Sequence, residues 1–339
     1  MKIQTRLSAE PRKNLGRALP REQPYVLLVD PSSLCNLRCK WCPSGYDQLI
    51  AETGRSQQVM DLALFERLVD QAAAWGKPFR VLRMYKEGEP LVNPFFADMV
   101  RLAKQSGWFL RIDTTTNGVL LNPKLNRKLI EAGIDQINIS VNGMSAEQIY
   151  RNTGNHVDFG AYVQNIQDLC GRKGDCTIYI KSIKDVLSDS EQEQFFDIFG
   201  DMADRVYLER LSPAWPAFDV SQSGYTYEDI GNYEQPVENR MVCPYLFYIM
   251  VVNADGSVST CVGDWRHEQT VGDIKVSSLK EIWLGEIQQA YQLGHLMGEK
   301  DRFPMCSKCA VITHGCYDNI DAYAQKISEK LVNHMYTGG

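Results

Sequence analysis

Several features that would narrow the field are missing from this chain of 339 residues. No apolar stretch approaches the roughly 20 residues that a membrane span needs, which argues against a membrane protein. The first segment is basic and polar (Lys2, Arg6, Arg12, Lys13, Arg17), but it has no apolar h-region, so no secretion signal is read there. No basic run or basic-patterned helix occurs, and the formal net charge is −6, so nucleic acid is not an expected partner. The five histidines fall in no metal-ligand spacing such as HExxH. No internal repeat and no low-complexity segment interrupts the chain. A cytoplasmic globular protein is therefore expected, and its hydrophobic fraction of 44% and charged fraction of 23% are ordinary for that class.

The chain does have ten cysteines. In a reducing compartment clustered cysteines bind metal or do chemistry more often than they form disulfides. Three of them, Cys35, Cys39 and Cys42, follow an apolar run over residues 25–29 in the spacing CxxxCxxC, and the next cysteine is Cys170. Thiolates are the usual ligands of iron–sulfur clusters, and a four-iron cube ligated by three of them keeps one iron open. An open coordination position marks a reactive centre. Zinc knuckles and redox cysteine pairs remain alternatives for the loop alone, although zinc favours four ligands in CxxC pairs.

Strand-like runs at 25–29, 79–85, 108–113, 136–141, 177–181 and 205–211 alternate with helical patterns near 61–75, 94–105, 123–132, 159–171 and 188–204. That alternation predicts parallel βαβ units, six of them, too few for a closed eight-fold barrel. Ligands of such sheets sit at the carboxyl ends of the strands, which is where the cysteine loop falls. Beyond Pro213 the pattern changes. Residues 213–240 read as an aromatic, Pro- and Gly-containing bridge. Two β-like runs at 247–253 and 257–262 then flank Ala254-Asp255-Gly256, a strong hairpin signal. A helical stretch at 278–295 follows, and the chain closes on a helical tail.

Cys35-xxx-Cys39-xx-Cys42, with Trp41 before the last cysteine, resembles the cluster loop of radical S-adenosylmethionine (SAM) enzymes. The resemblance implies a partial (β/α)6 barrel over 24–212, preceded by a lead-in at 1–23. It also implies SAM bound through its amino and carboxylate groups to the open iron of a [4Fe–4S] cluster, and a 5′-deoxyadenosyl radical that abstracts hydrogen from a substrate. Gly88-Glu89-Pro90 resembles part of the family's GGE segment, which contacts the SAM amino group, with Glu87 where a glycine is usual. By the same resemblance Ser140, Thr116 and Asn142 at strand ends are candidates for SAM contacts, and Arg151 for pairing with the SAM carboxylate. Turn chemistry and a surface ion pair explain these last residues equally well.

Cys243, Cys261, Cys306 and Cys309 form a second set. Twelve residues separate Cys243 from Gly256 and four separate Gly256 from Cys261, which resembles the opening of the SPASM and twitch auxiliary domains of the same family. This places a SPASM/twitch-like domain with a β-hairpin and helix at 241–320, after the bridge at 213–240, with a tail at 321–339. A full SPASM domain carries more cysteines than this chain, which adds only Cys316. The resemblance therefore implies one auxiliary [4Fe–4S] cluster, as in twitch-type aminocyclitol dehydrogenases, and two clusters in all. A structural zinc site with four cysteine ligands is the alternative.

The expected activity is oxidation of an alcohol on a sugar, aminocyclitol or nucleotide-linked sugar, with the auxiliary cluster taking the second electron. The alternatives are an epimerase with Cys316 as hydrogen donor, for which Cys170 and Cys176 are weaker candidates, or a maturase of ribosomal peptides. The short lead-in argues against a peptide-recognition module at the front. The family implies flavodoxin or ferredoxin as reductant.

Overall fold

The computed structural model describes residues 2–6, 14–315 and 318–337. Its frame is one curved sheet built from β1 (Val26–Val29), β2 (Val81–Met84), β3 (Ile112–Thr116), β4 (Gln136–Val141), β5 (Thr177–Ile183), β6 (Arg205–Glu209), β7 (Ile249–Val252), β8 (Ser257–Ser259) and β9 (Thr270–Asp273). The strand order is β6-β5-β4-β3-β2-β1-β7-β8-β9. β1 to β6 run parallel, joined by helices that include Leu62–Ala74, Phe96–Ser106, Pro123–Glu131, Phe159–Arg172 and Asp189–Phe199. This is the partial barrel that the six-unit pattern predicts.

Alternation along each strand divides the side chains between two environments. Leu27, Leu82, Ile137, Ile139, Ile178 and Val206 face outward into the main core beneath the helices. The opposite face is apolar at β1 and β7, where Val26, Leu28, Ile249 and Val251 meet with Val81 of β2 packed against them. On β2 to β6 that face carries Arg83, Asp113, Asn138, Lys181 and Glu209.

The C-terminal hairpin extends this sheet. β7 pairs in parallel with β1, in the register Val26↔Ile249 to Val29↔Val252, and turns back antiparallel into β8. Gly256 makes the turn with φ of 91°, a conformation that side chains with a Cβ rarely adopt. The last helix, Ala324–Thr337, packs through Ile327 and Leu331 into a second core with Leu19, Leu246, Leu296 and Ile312.

Several expected boundaries move. The third strand begins at Ile112 rather than 108, because residues 79 and 109 meet only as an isolated bridge below the ladder. Thr114 to Thr116 therefore lie inside β3. The helical stretch at 278–295 is two helices, Leu279–Trp283 and Glu286–Leu296, broken at Gly285. A Cβ at Gly285 would stand 2.9 Å from the carbonyl of Glu281. Among the described residues no helix is long and apolar enough to cross a membrane.

Candidate active site

The cysteine loop leaves the carboxyl end of β1, a strand buried along its whole length. Its shape is fixed by backbone hydrogen bonds: Cys42 N donates to Cys39 O at 3.2 Å, and Gly45 N donates to Cys42 O at 3.0 Å. Arg38 N and Lys40 N donate to Thr153 O and Asn152 O, at 2.9 and 3.1 Å, at the end of helix Ala146–Thr153. Cys35, Cys39 and Cys42 are free and half-buried. Burial pushes the Cys35 thiol up to about 12, and negative charge on Cys42 adds to the shift. Cys39 is raised well above the ordinary value, by burial and then by Cys42 and Cys35. The three thiols thus stand in one another's electrostatic reach and resist ionising together. A cationic metal centre relieves that repulsion and favours the thiolates.

Gly88 and Glu89 close β2 against this loop. A Cβ at Gly88 would stand 2.2 Å from Ser32 O and 2.3 Å from Leu34 O, so only glycine permits the approach. Glu89 N donates to Leu34 O at 2.9 Å. The buried Glu89 carboxylate accepts from Thr116 Oγ1 at 2.6 Å, Asn117 N at 2.7 Å and Leu91 N at 3.1 Å. Burial nevertheless pushes its pKa up to about 7. Thr116 is thus a buried donor to Glu89. Ser140 and Asn142 are half-buried at the end of β4, and the Asn142 carbonyl accepts from Asn152. Arg151 is exposed on the helix that holds the loop. Trp41 meets Tyr225 of the bridge edge-on, with ring centroids 5.9 Å apart.

Cys243, Cys261, Cys306 and Cys309 line one largely apolar cavity with Val262 and Ile312. Burial raises Cys261 to about 12 and Cys306 and Cys309 to about 11, and each feels another cysteine of the set. Gln269 Nε2 donates to Cys306 Sγ at 3.4 Å. Among the described residues no three histidine, cysteine or carboxylate side chains are assembled to hold a metal ion. A four-iron cluster spreads its thiolates over separate irons, and four thiols around one apolar cavity suit that donor set. Cys170 and Cys176 are buried in the main core, and burial raises both to about 12. Cys316 lies outside the described residues.

Between the two cysteine sets lies a buried ionic network that the sequence did not reveal. Glu87 pairs with Arg55, with Lys86 Nζ at 2.6 Å and with His267 Nε2 at 2.9 Å. Lys86 also donates to Asn253 Oδ1 at 2.6 Å and to Asp264 O at 3.0 Å. Ser44, two residues past Cys42, donates to Glu87 O at 2.8 Å and accepts from Arg55 at 3.3 Å. The network thus ties the cysteine loop to the β7–β8 hairpin. His267 is held with φ of 57°, and burial followed by Lys86 and Arg55 pushes its pKa down to about 3, so it stays neutral. The available signal was Glu87 standing where a glycine is usual.

Residues 29–185 match the Radical SAM superfamily and residues 243–310 match SPASM, an iron-sulfur cluster-binding domain. The GTP 3′,8-cyclase of Chlorobaculum tepidum is 34% identical over 117 residues, 34% of this chain and 32% of that protein. The tungsten-containing aldehyde ferredoxin oxidoreductase cofactor-modifying protein of Pyrococcus furiosus is 32% identical over 143 residues, 42% of this chain and 37% of that protein. The chain thus spans about a third of the length of these curated relatives. Among solved structures, BtrN in complex with AdoMet and 2-DOIA superposes with a TM-score of 0.55 at 18% identity, covering 88% of this chain and 97% of BtrN. Streptococcus suis SuiB bound to S-adenosylmethionine gives 0.60 at 14% identity, covering 90% and 78%. At these identities the likeness is one of fold.

Proposed function

This chain belongs to the radical SAM superfamily and carries a SPASM-type auxiliary domain, and from that premise we propose that it oxidises an alcohol of a polar small molecule to a ketone. It is an enzyme of oxidoreductase type that uses SAM and iron–sulfur chemistry, in which reductive cleavage of SAM yields the 5′-deoxyadenosyl radical. Cys35, Cys39 and Cys42 would hold the cluster that binds SAM, and Cys243, Cys261, Cys306 and Cys309 a second [4Fe–4S] cluster. The observation that carries the reading is the single cavity lined by those last four cysteines. Four protein thiolates close a cluster against substrate ligation and leave it an electron acceptor.

The chain's own groups have defined tasks in this reading. Glu89, held by Thr116 and the Asn117 amide, presents a carboxylate at the end of β2 toward the cationic amino group of SAM. Ser140, Asn142 and Arg151 supply further polar contacts at the β4 end and on the helix after it. Trp41, packed on Tyr225, shields the loop from water. The substrate class is a sugar, aminocyclitol or nucleotide-linked sugar, and a flavodoxin or ferredoxin supplies the electron. The epimerase alternative needs a thiol donor. The two other cysteines outside the cluster sets that are described, Cys170 and Cys176, sit in the core behind the sheet.

The test is iron and sulfide content after anaerobic reconstitution of the native chain and of a Cys35/Cys39/Cys42→Ala variant. About eight irons falling to about four is expected for two cubes. About four irons in the native chain and none in the variant would remove the electron acceptor and with it the dehydrogenase reading. Product analysis for ketone against deuterium uptake then separates oxidation from epimerisation.

A further inference from the structure

The concave face of the sheet is unbalanced in charge. Residues 2–6 run beside β6, with Gln4 N donating to Val206 O at 3.0 Å, and bring Arg6 into the interior. Arg6 donates to Tyr85 Oη at 2.8 Å and stands 3.3 Å from Asp113 Oδ1. Arg83 Nε is 3.6 Å from the other oxygen of Asp113, and it is buried without a hydrogen bond. Arg111 and Arg205 converge on the single amide oxygen of Gln136, Arg205 at 3.3 Å. Among the described residues, Arg6, Arg83 and Arg111 thus face the carboxylate of Asp113, and Arg205 joins Arg111 on Gln136. At Arg111 burial lowers the pKa, Asp113 opposes the fall, and Arg6, Arg83 and Arg205 add to it.

Such an arrangement is costly unless an anion completes it. Guanidinium forks match phosphate oxygens in geometry and charge. Further along the same face Lys181 Nζ pairs with Glu209 Oε2 at 2.5 Å, and Tyr179 Oη donates to Glu209 Oε1 at 3.1 Å. Glu209 lies four residues beyond Arg205 on β6, about 13 Å at the usual rise of a strand. The arginines stand toward the amino ends of the strands and Glu209 at the carboxyl end of β6, so a ligand spanning the two would run along the concave face toward the cysteine loop.

We propose that Arg6, Arg83, Arg111 and Arg205 bind the phosphoryl or diphosphoryl group of the substrate, which makes the substrate a phosphorylated polyol or nucleotide-linked sugar. The proposal rests on the reading of the barrel interior as the site of a small-molecule oxidation, and it narrows the substrate class.

The experiment has two arms. In the first, the reconstituted protein is titrated calorimetrically with inorganic pyrophosphate, inorganic phosphate and glucose. Saturable pyrophosphate binding is expected, weakened about tenfold or more in Arg111→Gln and in Arg205→Gln, with iron content and SAM affinity unchanged and no heat from glucose. Absence of saturable pyrophosphate binding, or equal affinity in both variants, overturns the site. In the second, a small-molecule extract is supplied with and without prior treatment by nucleotide pyrophosphatase and phosphatase together, which strips both phosphomonoesters and sugar-linked diphosphates, and substrate-dependent 5′-deoxyadenosine is measured. Stimulation by the untreated extract alone is expected. Equal stimulation by both identifies the anion as a free ion and overturns the substrate assignment. If pyrophosphate binds through Arg111 and yet no alcohol is oxidised, the anion site stands and the dehydrogenase reading fails.

Discussion

Glu87→Gln isolates the charge on which the buried network turns. The side chains of Glu87 and Lys86 are 0% exposed and that of Arg55 is 1% exposed. The amide keeps the size and shape of the carboxylate, so the packing is retained while two buried cations lose their nearest anion. Breaking a buried pair from one side costs about 3–5 kcal/mol, because the remaining charge stays desolvated. Asp264, beside Lys86, and Asp30, beside both cations, are the next carboxyls in reach. Burial pushes Asp30 up to about 6, against the pull of Lys86 and Arg55, and the two carboxyls together offset part of the loss. A destabilisation of about 3 kcal/mol is therefore expected, read from anaerobic urea denaturation of the native and variant proteins side by side. The double variant Glu87→Gln/Arg55→Met removes one stranded cation and should recover part of that loss. A loss below about 1 kcal/mol, or strict additivity in the double variant, would refute the argument that Glu87 holds the loop and the hairpin together through charge.

Gly88→Ala should displace the cysteine loop, since its Cβ meets two backbone carbonyls of residues 32 and 34. Iron analysis should show the cluster of Cys35, Cys39 and Cys42 depleted and the second one retained. Glu89, with its pKa raised to about 7, must give up a proton to pair with the SAM amino group. SAM affinity is therefore expected to fall about tenfold per pH unit as pH drops below 7 and to level off above it. Titration calorimetry should show that dependence flattened in Glu89→Gln. Cys243→Ala should lower the iron content by about half while SAM cleavage survives, whereas Cys170→Ala should leave the iron unchanged.

The parts of this molecule that were legible in the sequence are those written locally. CxxxCxxC after an apolar run, Asp255-Gly256 between two β-like runs, and helices of regular period each declare themselves within a dozen residues. The outward-facing residues of β4 and β5 are nearly all apolar, which made those strands visible. The ionic network was not legible, because Arg55, Glu87, Asn253 and His267 come from separate segments and each passes for an ordinary polar residue. The arginine cluster was hidden for the same reason. Arg83, Arg111 and Arg205 look like the polar half of a strand alternation until curvature turns that half inward. β9 is only Thr270–Asp273 and contains a glycine, so its pattern was too short to separate from a loop. Pairing of β7 with β1 carries no local mark at all.

That pairing has a consequence for how the chain is made. β1 must wait for a neighbour more than two hundred residues downstream, so the sheet closes on that side only after most of the chain has been synthesised. Contacts of such long sequence separation slow folding. Until the hairpin arrives, β1 presents an open edge of backbone donors and acceptors, the kind of template that recruits other chains. Truncation ahead of the hairpin would leave that edge exposed permanently, and the expected product is aggregate rather than an isolated barrel.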